Sequence, residues 1–206
     1  MSEDFFYPNQ MGKIVLLSME EVMGRNGVIA ILKLASLPSL IENYPPDNKE
    51  REFSFSTLSA LTDTLERVYG PHGGRGIALR VGRACFNNGV RQFGVQMGIT
   101  EKAFRLLPLQ GKVSAGAKSL AELFNTFTDQ KVRVEEENGK LFWHIERCPL
   151  CWERHSQDPL CHLAVGLLQE ALYWLSGGKV FNVEEVTCIA TGDDACTIVI
   201  DQSPIF

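Results

Sequence analysis

The chain has 206 residues and a 45% apolar share, which suits one domain with a sizeable core, alone or with an N-terminal extension. A net charge of −5 argues against a general nucleic-acid binder, and the greasiest stretch, 27–41, is broken by Lys33 and Pro38 and is too short to span a bilayer. The N-terminus, Met-Ser-Glu-Asp, lacks the basic start and apolar run of a signal peptide, so a soluble cytoplasmic protein with reduced thiols is expected.

Residues 12–41 read as two or three short helices punctuated by Gly24, Gly27 and Pro38. Their apolar content leaves two outcomes open, packing within the chain or against a second copy. The loop Asn43-Tyr44-Pro45-Pro46-Asp47-Asn48 and the charged run behind it mark a boundary between an N-terminal helical extension, 1–48, and a main domain, 49–206. An amphipathic helix follows, with Leu58, Leu61, Leu65 and Val68 on one stripe and a stop at Gly70-Pro71. His72-Gly73-Gly74-Arg75-Gly76 reads as a tight inter-helix turn; its spacing is not a nucleotide fingerprint. The minority reading is an anion cradle helped by Arg75, Arg80, Arg83 and Arg91. The next helix turns Ile77, Val81, Ala84 and Cys85 inward and stops at Asn87-Asn88-Gly89. Helical signal resumes over 100–107, and again after Pro108 and Gly111 with Ala117, Leu120, Phe124 and Phe127 on one face.

The period then changes. Val132 and Val134 alternate in Lys131–Glu135, Asn138-Gly139 is a strong hairpin turn, and Leu141–Ile145 returns from it. Asp158-Pro159 reads as a helix opening, Asp as N-cap and Pro at the first helical position. Cys161, Val165, Leu168, Leu172 and Leu175 form the helix's apolar stripe, and Gly177-Gly178 ends it. Lys179–Ala190 reads as a strand, 191–194 as a turn and Cys196–Ile200 as the returning strand. The fold class is therefore α+β, several helices packed on a small antiparallel sheet made of two hairpins in the C-terminal half.

Five of the six cysteines lie between Cys148 and Cys196, a crowding more typical of metal ligands than of core residues. A hairpin centred on Gly192 sets Cys188 opposite Cys196, with Cβ atoms about 4.5–5.5 Å apart. Glu185 lies three residues before Cys188, which on a regular strand is the opposite face, so it joins the cysteines only if a bulge or bend re-aims it. Cys148-Pro149-Leu150-Cys151 is a zinc half-site in its own right. Cys85 is expected to be a buried, inert thiol, and His155 and His162 to be surface residues.

The run Cys161…Glu185-x-x-Cys188…Gly192-Asp193-Asp194-x-Cys196 resembles the 4-vinyl reductase or hydrocarbon-binding domain family. That family includes the input domains of phenol- and xylene-responsive activators and a protein once assigned to vinyl reduction in bacteriochlorophyll synthesis. Its fold is akin to subunits of the vesicle-tethering transport particle. The resemblance implies one zinc held by Cys161, Glu185, Cys188 and Cys196, with Cys148 and Cys151 as alternative ligands that the family pattern lacks. It also implies a pocket for a hydrophobic or aromatic small molecule, a homodimer through the N-terminal helices, and a downstream signalling protein as partner. Phe124, Phe127, Trp143 and Trp174 are the aromatics expected to contribute to such a pocket, with Phe104 and Tyr173 as further candidates. Trp143 and His144, adjacent on a strand, face opposite ways.

Three functions follow in order. The first is a zinc-containing binding or sensory domain for a small apolar molecule. The second is a reductase or carrier of a vinyl tetrapyrrole, suggested by the family's name; no dinucleotide fingerprint supports the enzyme. The third is a scaffold or assembly subunit, which rests on fold analogy alone. An enclosed apolar cavity favours the first and a filled core the third.

Overall fold

Helices occupy the first part of the chain and a four-stranded sheet the last, as the change of period predicts. The computed structural model describes residues 4–93 and 106–205, without the side chains of 90–92. The expected helical turn at 100–105, Phe104 and the Arg91 side chain lie outside the described residues. In chain order the elements are β1 (Phe6–Pro8), α1 (Asn9–Leu34), α2 (Ser39–Glu42), β2 (Arg51–Ser54), α3 (Phe55–Phe93), α4 (Leu109–Phe127), β3 (Lys131–Glu137), β4 (Lys140–Arg147), α5 (His162–Ser176), β5 (Val183–Thr187) and β6 (Cys196–Asp201).

The two expected helix breaks are present as sharp bends. Gly24 interrupts α1 at φ 74° and Gly70 interrupts α3 at φ 71°, conformations that a side chain disfavours. The stop expected at Asn87-Asn88-Gly89 is not one: α3 runs on to Phe93. Asn87 donates to Glu170 on α5 and Asn88 to Ser18 and Glu21 on α1, so contacts between helices outweigh the weak local preference. Val68, expected on the inward stripe, is exposed, whereas Leu58, Leu61 and Leu65 are buried.

The hairpins β3–β4 and β5–β6 join into one antiparallel sheet, order β3-β4-β6-β5. Pairs Leu141↔Ile200, Trp143↔Ile198 and Ile145↔Cys196 make one buried face across β4 and β6. His144 lies on the other face, bonded to Thr197 Oγ1 at 3.0 Å. Helices cover the apolar face, and residues from both sides of the 43–48 loop share one core that includes Leu16, Phe55, Val81, Trp143 and Ile198. A second, two-stranded ribbon of β1 and β2 is too short to leave a period in the sequence.

The crossing of α3 and α5 fixes the rest. A Cβ on Gly82 would fall 2.0 Å from the Leu163 carbonyl oxygen, and one on Gly166 2.1 Å from that of Leu79. Glycine at both positions permits this approach, which brings the start of α5 to the edge of the sheet.

Candidate metal centre and adjoining cavity

Four chain segments deliver six donors to one place. Cys148 and Cys151 bracket a turn just after β4. Thr62 on α3 donates to the Leu150 carbonyl at 3.1 Å, and Ser59 to the Trp152 carbonyl at 2.8 Å, so α3 holds that turn. Cys161 is the N-cap of α5, three residues later than the helix opening expected at Asp158-Pro159. The physical reason is long-range: the Cys161 N–H donates to Glu185 Oε2 at 2.7 Å, and its carbonyl accepts from Val165 N–H at 3.1 Å. Asp158 instead lies in the preceding loop, its own N–H bonded to Ser156 Oγ.

Glu185 reaches this group because β5 bulges between Glu185 and Thr187. Glu185 pairs with Ile198 and Thr187 with Thr197, so the extra residue, Val186, allows positions 185 and 188 to share the inner side. Cys188 lies just past the end of β5, whereas Cys196 pairs with Ile145 rather than with Cys188. A 3₁₀ turn, Ile189–Thr191, replaces the regular hairpin end, yet the Cys188 and Cys196 sulfurs still stand 3.8 Å apart. Asp193 shapes that turn by accepting from Cys188 N–H at 2.9 Å and Thr191 Oγ1 at 2.8 Å. The sequence marks Asp193 as a turn residue and gives no sign of this second task.

Sulfur separations are 3.4 Å for Cys148–Cys161 and for Cys151–Cys196, and 4.0 Å for Cys161–Cys188. These lie far above the roughly 2.05 Å of a disulfide and near the about 3.8 Å that tetrahedral thiolates take around zinc. Two tetrads result, Cys148, Cys151, Cys161 and Cys196, and Cys161, Glu185, Cys188 and Cys196; ligand atoms in each lie within 4.8 Å of one another. All five cysteines are buried. Glu185 Oε1 is also buried and has no hydrogen-bond partner among the described residues. Burial, and then Cys188, raise the Glu185 carboxyl to about 8, and burial raises the Cys148 thiol. A cation between these groups would remove that penalty, which is how the donor set fits a thiophilic metal ion. The histidines stand apart from both tetrads: His155 is exposed, and His162 is held down to about 4 by burial and by Arg75 and Arg154. Arg75, Arg80 and Arg83 are exposed, as expected of a solvated helix face.

Against the thiol cluster lies an apolar cavity of about 110 Å³. The helices contribute Met11, Ile14, Phe86, Leu123, Leu167 and Leu168, and the sheet Trp143 and Ile145. Cys85 also lines it, its thiol pushed up to about 12 by burial. The polar lining is sparse; Tyr7 and Gln130 are hydrogen-bonded to each other, hydroxyl to amide oxygen. Of the four expected aromatics, Phe124 and Trp143 line the cavity. Phe127 instead packs on Phe93 with the Lys49 ammonium over its ring, and Trp174 is 44% exposed beside Phe86. Tyr7 and Gln130 are 123 positions apart, so no local pattern could have paired them.

The cavity and the cluster share a wall. Pro149 and Leu150, between Cys148 and Cys151, line the cavity, as do Leu163 and Ala164 in the first turn after Cys161.

This fold, helices over a small sheet with a thiol cluster at its edge, is that of a known class of domain. The 4-vinyl reductase (V-4-R) domain matches residues 141–202, a span that includes all six donors, and the resemblance read from Cys161 to Cys196 is shown there. An uncharacterized protein of Methanocaldococcus jannaschii is 36% identical over 52 residues, which make up 25% of this chain and 28% of that one. Among solved structures, an H-NOX variant from Tt is similar at TM-score 0.59 and 11% identity, over 97% of each chain. An H-NOX protein from S. oneidensis in the Fe(II)NO ligation state is similar at TM-score 0.57 and 15% identity, over 94% of this chain and 99% of that one. The phenol-responsive sensory domain of the transcription activator PoxR, with phenol, gives TM-score 0.52 and 20% identity, over 73% of this chain and 76% of that one. These structural likenesses are likenesses of fold. No helix among the described residues is long and apolar enough to cross a membrane.

Proposed function

We propose that this protein is a sensory domain that binds a small, mainly apolar molecule in the cavity, with zinc at the thiol cluster bracing one wall. The observation that carries the reading is the Cys148–Cys151 turn, whose ends are metal donors and whose middle residues line the cavity. A ligand there and an ion at the cluster would act on the same few atoms.

The cavity's size supports a single ring, since an apolar cavity of about 150 Å³ takes up benzene. Tyr7 and Gln130 supply the polar pair that could exchange their mutual bond for one to a ligand hydroxyl or carbonyl. The family match and the likeness to the phenol-responsive domain of PoxR support the same class of ligand. Heme is named for the H-NOX family, and we carry over its fold without its cofactor. No histidine lines this cavity among the described residues, and its about 110 Å³ is smaller than a tetrapyrrole requires. An apolar cavity also favours sensing over scaffolding. The output would pass to a second copy or to a downstream protein; Leu17, Leu34, Val68 and Tyr69 on α1 and α3 are exposed apolar residues available for either.

The test is calorimetric titration of the purified protein with single-ring aromatics, phenol and toluene among them, alongside Ala164→Phe, which fills the cavity. Saturable binding that weakens at least tenfold in the variant is expected. Titrations without heat or saturation, or an unchanged affinity in a folded Ala164→Phe, would overturn the proposal.

A further inference from the structure

The donor count does not fit one ion. Zinc takes four protein ligands in structural sites, and the cluster offers six donors in two tetrads that share Cys161 and Cys196. One ion in either tetrad leaves two donors of the other unused and buried: Glu185 and Cys188 if it sits in the all-cysteine tetrad, Cys148 and Cys151 if it sits in the mixed one. Two tetrahedral ions that share the Cys161 and Cys196 sulfurs use every donor once, apart from those two bridges.

We infer that the cluster holds two zinc ions, bridged by the Cys161 and Cys196 thiolates, with Cys148 and Cys151 completing one ion and Glu185 and Cys188 the other. This extends the zinc reading above and rests on it. Geometry supports it first: the sulfur separations in both halves, 3.4 to 4.0 Å, are all of tetrahedral-edge length. The bridging pair is then the pair common to both tetrads, and it comes from two firmly anchored segments, the α5 N-cap and the central strand β6. Charge supports it next. Five thiolates and one carboxylate carry six negative charges, which two divalent ions offset far better than one in a buried site. The partnerless Glu185 Oε1 supports it independently, because a single ion in the all-cysteine tetrad would leave that buried oxygen unserved. Ile189 N–H donates to the Cys196 sulfur at 3.3 Å, the kind of outer bond that steadies a thiolate carrying two metals.

The experiment is metal analysis of the full-length protein, purified reduced and loaded with zinc, by native mass spectrometry, followed by cadmium-113 NMR of the cadmium-exchanged protein. Two ions per chain and two cadmium resonances split by mutual coupling are expected. Cys148→Ser with Cys151→Ser should halve the metal content, and so should Glu185→Gln with Cys188→Ser. If either variant fails to fold, the coupled spectrum of the unaltered chain decides alone. One ion per chain overturns the two-ion inference and leaves the zinc-braced sensory domain standing. Two resonances without coupling, or a second ion indifferent to both variants, also overturn it, as an adventitious ion only. A folded chain that takes up no ion overturns both this inference and the zinc reading.

Discussion

At Cys85 one sulfur reports on the cavity. Its thiol is pushed up to about 12 by burial, so the thiolate that reacts with an alkylating agent is scarce near neutrality. At pH 8 the thiolate fraction is on the order of 10⁻⁴, against about a quarter for an ordinary thiol. Alkylation of the Cys85 peptide, followed by mass spectrometry, should therefore run about a thousandfold slower than that of a model thiol. A raised pKa means more thiolate as pH rises, so the rate should climb about tenfold per pH unit until the protein unfolds. A bound ring should slow it further, since Cys85 lines the same space. A rate equal to that of an exposed thiol would mean that the cavity is open to water.

Among the elements, the α3–α5 crossing bears the most. With Gly82 and Gly166 at the seam, a single methyl would strike a backbone carbonyl, which cannot swing aside as a flexible side chain can. Gly82→Ala or Gly166→Ala should cost about 1–3 kcal/mol, read as a drop of about 2–4 °C in Tm per kcal/mol for a chain of this size. The effect should extend to metal retention, because α5 carries Cys161 at its start. Nothing in the sequence separates these glycines from others inside helical patterns, whereas the hairpins, the helix stripes and the five-cysteine segment are all legible. The β5 bulge is a middle case. The Glu185-x-x-Cys188 spacing demands one if both residues ligate, and the register of β5 on β6 contains it. The Asp158-Pro159 opening misleads because a carboxylate from another element claims the first amide of the helix, a competition that no local rule sees. The wall formed by Tyr7 and Gln130 was hidden for the same reason, distance along the chain.

For the molecule as a whole, the shared wall makes metal and ligand reciprocal effectors. If zinc holds the Cys148–Cys151 turn in its ligand-ready shape, ligand must in turn tighten zinc by the same factor. Titration of a single-ring ligand before and after chelation should show affinity falling about fivefold or more, within the range of ordinary coupling. Chelator competition with and without the ligand should return the same ratio. Equal affinities in both states would mean that the cluster stabilises the fold without shaping the cavity. The donors, finally, come from four segments that meet only when the β4–β6 pairing and the α5 docking are both complete. An ion that waits for that assembly stabilises the finished state and not the barrier before it. Chelation should therefore speed unfolding in a denaturant-jump experiment while leaving the refolding rate almost unchanged. On that account the cluster works as a latch on the lifetime of the folded state.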